Sequence, residues 1–125
     1  MKLRIKGDSL RIRVTQGELD DLTTQGRVEE SIHFAPGRAL AYRLSVDPKA
    51  SQLTAHFDRD VIEVRLPEKS AREWSSTNMV TLENTQSQDG VDLKIFVEKD
   101  FACLAPRENE DESDNFENPT VGKVC

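Results

Sequence analysis

Along most of the first hundred residues, apolar side chains recur at every second position, with polar or charged side chains between them. A period of two is typical of a β-strand that buries one face and leaves the other in water. The pattern excludes a helical bundle and requires several strands whose apolar faces share one interior. The segments that show it most clearly are 2–6, 10–14, 40–46, 53–57, 62–66 and 91–97.

Two short segments between the strands carry helix signals instead. Thr15 followed by Glu18 is a capping box, and Gly26 suits the left-handed residue that ends a helix. Pro67 fits the first turn of a second helix, whose buried stripe includes Trp74. Turn residues join neighbouring strands at 7–9, 36–37, 58–60 and 89–90.

The order strand, strand, helix, strand, strand is predicted twice. An offset of 52 residues places Leu22 on Trp74, and an offset of 51 places Leu44 on Ile95. An internal duplication explains this match. Coincidence explains it as well, because any two amphipathic units of one topology align their apolar positions. The candidate repeats are residues 1–48 and 52–99.

These patterns predict an α+β fold. A chain of 125 residues is long enough for one modest core. We expect an antiparallel sheet, or two such sheets, of about eight strands, with the two short helices covering one face. The predicted domain spans residues 1–107, and residues 108–125 follow it as an acidic C-terminal tail.

The charge of the chain is concentrated in that tail. Six acidic residues in 108–125 against Lys123 give a net charge of −5, which leaves −1 of the total of −6 for residues 1–107. A nearly neutral body lacks the cationic excess that binding to phosphates needs. We therefore expect neither nucleic acid nor an anionic membrane surface as a partner.

The N-terminal residues and the cysteine content indicate a cytoplasmic protein. Charged residues alternate with apolar ones from Met1 to Lys6, so no signal peptide is predicted, and no apolar run approaches the length of a membrane span. Two cysteines are too few for a disulfide-stabilised secreted scaffold.

The first predicted hairpin places a basic row on the outer side of its strands. The tail carries Phe116, Pro119 and Val121 among its carboxylates, which is unusual for a merely solvated terminus. We expect a non-catalytic module in which the basic row and Phe116 engage a protein partner or a second copy of the chain. A frayed terminus is the alternative for the tail. The basic residues are Lys2, Arg4, Lys6, Arg11 and Arg13.

A small metal-binding or thiol-redox protein is the alternative function. The candidate zinc ligands are Cys103, Cys125, His33 and His56, but their spacing matches no compact zinc motif. Two ordinary reduced thiols and two isolated histidines are the simpler interpretation. No cofactor is otherwise expected. The sequence also contains no phosphate-binding loop and no nucleophile elbow, so it does not predict an enzyme.

Three stretches of the sequence carry a resemblance to a known family. They are residues 1–13 with their turn at Gly7, the segment GRVEE at 26–30, and EKDFACL at 98–104 followed by Pro106 and Arg107. Together they resemble a family of small bacterial proteins without an established activity. The resemblance spans nearly the whole chain and implies a bacterial cytosolic setting.

Overall fold

The protein forms eight β-strands and two α-helices, seen here in a computed structural model that describes residues 1–101. The α+β class predicted from the sequence is confirmed, as is the twice-repeated order of elements. In chain order the elements are β1 Lys2–Ile5, β2 Ser9–Val14, α1 Gln16–Gln25, β3 Arg27–Ala35, β4 Arg38–Asp47, β5 Thr54–Asp58, β6 Val61–Pro67, α2 Glu68–Ser76, β7 Thr81–Gln88 and β8 Val91–Lys99.

The strands form two four-stranded sheets, and each sheet takes one hairpin from each half of the chain. Sheet I has the order β1-β2-β8-β7, and sheet II has the order β3-β4-β6-β5. Each helix connects a strand of one sheet to a strand of the other. Neither half therefore contains a complete sheet.

The prediction of purely antiparallel sheets was wrong. The hairpins are antiparallel, but β2 pairs with β8 and β4 pairs with β6 in parallel, so both sheets are mixed. Periodicity fixes which side chains face the interior. It does not fix which hairpin lies beside which, and here each hairpin pairs with one from the other half.

The inner faces of both sheets and the two helices share one core. Leu22 of α1 and Trp74 of α2 are fully buried in it, and they are the pair that the offset of 52 residues aligns. The Trp74 indole N–H donates to the carbonyl of Val80 at 2.9 Å. The other buried apolar residues are Leu10, Ile12, Val14, Leu44, Leu53, Ala55, Val64, Leu66, Ala71, Ile95 and Val97.

Local signals at α1 are realised as the sequence predicts. The Thr15 hydroxyl accepts from the Glu18 backbone N–H, while the Glu18 carboxylate accepts from the Thr15 N–H, which completes the capping box. Gly26 ends the helix at a φ of 85°, a conformation that favours glycine.

The register of the strands gives the structural equivalence of the two halves. In sheet I, Ile12 lies between Leu3 and Val97; in sheet II, Val64 lies between Ala55 and Leu44. Leu44 is thus equivalent to Val97, two residues beyond the Ile95 of the sequence alignment. A shift of two leaves every side chain on the same face.

The two ends of the molecule differ. Both helices lie at one end, the helix end, where they contact each other. The four hairpin turns lie at the opposite end, the open end. Inner-face residues next to these turns are exposed: Ile5 by 59%, Phe57 by 70% and Val91 by 57%.

Candidate functional site

The two sheets meet along two seams, each formed by an edge strand of one sheet and the inner face of an edge strand of the other. The second seam joins β5 to β7. There the side-chain amide of Gln86 accepts from the backbone N–H of Ala55 at 2.9 Å and donates to its carbonyl at 3.1 Å. Asn84 donates to the carbonyl of Leu53 at 2.8 Å. Side chains of β7 therefore occupy the hydrogen-bonding edge of β5.

The first seam joins β1 to β3, and its helix end is closed by charge. The Met1 ammonium donates to Glu30 at 2.7 Å and also to Glu18. Tyr42 donates to Glu30 at 3.0 Å and to the carbonyl of Met1 at 3.4 Å. By register, Glu30 is equivalent to Asn84, and each contacts the residue just before its edge strand.

These contacts shift the pKa values of the groups involved. Burial lowers the pKa of the Met1 ammonium, but hydrogen bonds to Glu18 and Glu30 outweigh burial and raise it. Burial raises the pKa of Glu18, but the ammonium and the cap at Thr15 outweigh that effect and lower it. Burial and the Glu30 carboxylate both raise the pKa of Tyr42.

Beyond Glu30 the equivalence breaks down. The position equivalent to Gln86 is held by Ile32, because Ile32 lies opposite Leu40 as Gln86 lies opposite Leu93. Isoleucine has no donor or acceptor for the edge of β1. Leu3 is equivalent to Ala55, but its backbone therefore receives no pair of hydrogen bonds like those that the Gln86 side chain makes to Ala55.

The first seam has the larger groove at its helix end. Strands β5 and β7 lie close together, whereas β1 and β3 approach each other less closely. The groove at the helix end of the first seam, lined by α1 and β3, has a volume of about 310 Å³; its equivalent at the second seam has about 180 Å³.

The open end of the first seam exposes apolar side chains. Ile32 is 48% exposed on the inner face of β3, and Ile5 is exposed on the inner face of β1. Phe34, 72% exposed, lies at an irregularity in the pairing of β3 with β4, between His33 and Ala35. Bulges of this kind often re-aim a side chain next to a binding site.

The basic row predicted on the first hairpin is largely engaged within the chain. Arg11 and Arg13 lie on the outer face of sheet I and donate to Glu98 at 2.7 and 2.6 Å. Lys2 pairs with Asp100 at 3.1 Å. Arg4 also has an interaction partner, while Lys6 is exposed near the open end.

Glu98 is the residue that sequence reasoning missed in this row. Glu98 is only 6% exposed, and its carboxylate also accepts from Thr81 at 3.4 Å. Arg11 additionally lies 4.4 Å from the centre of the Phe96 ring. The sequence does place Glu98 and Phe96 on the same face of β8. Only the parallel pairing of β8 with β2 shows that this face lies beside Arg11 and Arg13.

Sheet II carries a corresponding network on its outer face. Arg43 donates to Glu29 at 2.7 Å and to Glu63 at 3.3 Å. Glu63 also accepts from Arg65 at 2.7 Å and from Ser45 at 3.2 Å. Burial raises the pKa of Glu63, but the hydrogen bonds from Arg65 and Arg43 outweigh it, so this pKa lies below its usual value.

The candidate metal ligands that the structure describes are not brought together. His33 lies on β3 and His56 on β5, the opposite edges of sheet II, at least about 14 Å apart. Cys103, Cys125 and Phe116 lie outside the described residues. Within residues 1–101, no group of three or more His, Cys, Asp or Glu side chains is placed to hold a metal ion.

Comparison with known proteins places the chain in a family. The model of a family of unknown function, DUF7009, matches residues 1–120, so the chain belongs to that family. No curated protein and no solved structure matches it. Among the helices of residues 1–101, neither is long and apolar enough to cross a membrane.

Proposed function

We propose that this member of the family is a protein-interaction module that binds an extended acidic segment in its first seam. The segment is the C-terminal tail of the chain itself, anchored by Phe116. One observation carries the proposal: the first seam is open at the position where the equivalent second seam is closed by Gln86.

The apolar side chains of the first seam support a binding role. Ile5, Ile32 and Phe34 are exposed large apolar residues on β1 and β3, the two strands that form the first seam. Apolar side chains clustered on a surface mark interaction sites more often than scattered ones do. An aromatic side chain such as Phe116 is the type of anchor that fills such a surface.

The family match supports the tail as the occupant. It extends to residue 120 and so includes Phe116 together with all six acidic residues of the tail, which makes this segment part of the family's shared unit. The reach is sufficient. Phe116 lies fifteen positions after Phe101, a stretch that spans up to about 50 Å when extended, while β8 is about 30 Å long.

Charge at the open end favours the first seam over the second. The turns of the first seam carry Lys6 and Arg38 against Asp8. Those of the second seam carry four aspartates against one arginine, namely Asp58, Asp60, Asp89 and Asp92 against Arg59. A tail of net charge −5 is attracted to the first and repelled by the second.

A spin label on the tail of the full-length chain tests the proposal. Cysteine is introduced at Ser113, and Cys103 and Cys125 are changed to serine, so that the label has a single site. We expect strong broadening of the backbone amide signals of Ile5 and Ile32. The equivalent second seam, at Phe57 and Gln86, serves as the control within the same molecule and should broaden much less.

The pattern of broadening decides whether the tail binds in the first seam. Equal broadening at both seams, or none at either, overturns the proposal. The variant Phe116→Ala in the same labelled chain should remove most of the broadening at Ile32, because the anchor is lost. Mixing labelled with isotope-enriched unlabelled chains shows whether the tail comes from the same molecule or from a second copy, and either source fits an interaction module.

A further inference from the structure

We infer that the bound tail is an added β-strand, hydrogen-bonded along the edge of β1 at Leu3. This inference rests on the proposed function and specifies how the segment is held. Strand addition to an exposed sheet edge is a common mode of peptide recognition, in which main-chain hydrogen bonds supply affinity.

The second seam shows what the edge of β1 lacks. Gln86 bonds both the N–H and the C=O of Ala55, as a residue of a neighbouring strand would. Leu3 is equivalent to Ala55, because each lies opposite the central residue of its hairpin, Ile12 or Val64. The N–H and C=O of Leu3 therefore point away from β2, toward the first seam.

Nothing in residues 1–101 substitutes for the missing amide at this edge. Ile32 cannot form a hydrogen bond, and no side chain of the described part of the chain bonds to the backbone of Leu3. An unpaired strand edge is a template for another strand. Strands β1 and β3 also approach each other less closely than β5 and β7 do.

The tail sequence fits this position. In an added strand, Phe116 and Glu117 point to opposite faces. With Phe116 toward the apolar side of Ile5, Glu117 faces the outer side of β1, where Lys2, Arg4 and Lys6 lie. Pro119 has no N–H, so the pairing of an added strand ends before it.

Hydrogen exchange of the full-length chain tests the inference directly. We expect the Leu3 amide to be protected and to exchange at least about ten-fold faster in the Phe116→Ala variant, since each factor of ten corresponds to about 1.4 kcal/mol. The Ala55 amide is the control. It is held by Gln86 and should exchange at the same rate in both chains.

A substitution at Ile32 tests whether an added side-chain amide blocks the tail from the edge of β1. Ile32→Gln supplies the amide that Gln86 supplies at the second seam, so we expect it to occupy Leu3 and to reduce tail broadening at Ile5 several-fold. The matched variant Ile32→Leu has no amide and should keep the broadening.

The outcomes separate the inference from the proposed function. Tail broadening at the first seam with unchanged Leu3 exchange in Phe116→Ala overturns strand addition but leaves the interaction module in place. Loss of broadening in both Ile32→Leu and Ile32→Gln also overturns strand addition. In that case any substitution at position 32 would displace the tail, whether or not it supplies an amide. Absence of broadening in the parent chain overturns both.

Discussion

The first and second seams are built by equivalent strands in equivalent register, yet they differ in what completes them. At the second seam, Asn84 and Gln86 hydrogen-bond to the edge of β5. At the first, Glu30 holds the Met1 ammonium, and the next inward position is Ile32. Gln86 thus closes the edge of β5, whereas Ile32, at the equivalent position, leaves the edge of β1 open.

The difference shows that a symmetric framework does not imply symmetric surfaces. The two halves contribute the same kind of residue to the core. Leu22 and Trp74, for example, are both large apolar side chains buried at the helix end. Edge positions contribute less to the core and are therefore free to diverge. Function is expected where the halves differ.

The largest expected effect tests whether the halves share stability. Leu22→Ala should cost about 3 kcal/mol and Trp74→Ala about 4 kcal/mol of unfolding free energy, because each leaves a cavity in the common core. Chemical denaturation followed by circular dichroism measures both. Each variant should unfold in a single transition, and two separate transitions would contradict a shared core.

The two outer faces give the next comparison. Glu98→Gln should cost about 3 kcal/mol, since it removes the carboxylate that pairs with the almost buried Arg11 and Arg13. The matched change Glu63→Gln, on the more exposed network of sheet II, should cost about 1 kcal/mol. Equal losses in denaturant titrations would show that burial does not distinguish the two networks.

A smaller effect is expected from the seams themselves. Gln86→Ile removes two hydrogen bonds to Ala55 and should cost about 2 kcal/mol in the same titrations. Ile32→Leu changes an apolar residue at the equivalent open position and should cost less than about 1 kcal/mol. The contrast between the seams fails if the two variants lose the same stability.

The smallest effect is a pH dependence. The pKa of Glu63 lies below that of a free glutamate, about 4.3, so its ionised form stabilises the fold. That contribution is complete above the unfolded pKa and is lost as the pH falls through the folded pKa. The stability difference between the parent chain and Glu63→Gln should therefore shrink as the pH falls below about 4.3, and a constant difference would refute this assignment.

Local features of the fold follow from the sequence. Apolar alternation identified the strands around Leu10, Leu44 and Ile95, and the capping signals at Thr15 and Gly26 placed α1. These features depend on residues close in sequence. The interactions that produce them act within one helical turn or one hairpin. A pattern of a few neighbouring residues is therefore enough to predict them.

Features that depend on distant residues did not follow. The inner face of β7 carries Asn84 and Gln86, which break the apolar alternation and obscure the strand. Their role emerges only when β5 lies beside them. The partners of Glu98 and the parallel pairs depend likewise on how the two halves are arranged, and nothing in the periodicity specifies that arrangement.

The sharing of hairpins between the sheets has a consequence for how such a chain is assembled. A molecule in which each half contributes one hairpin to each sheet has the organisation of a domain-swapped homodimer whose subunits have been joined end to end. In that organisation, the connection at 48–53 joins the two halves. It also allows a single-copy mutation, such as one at residue 32, to differentiate surfaces that a true homodimer would have to change in pairs.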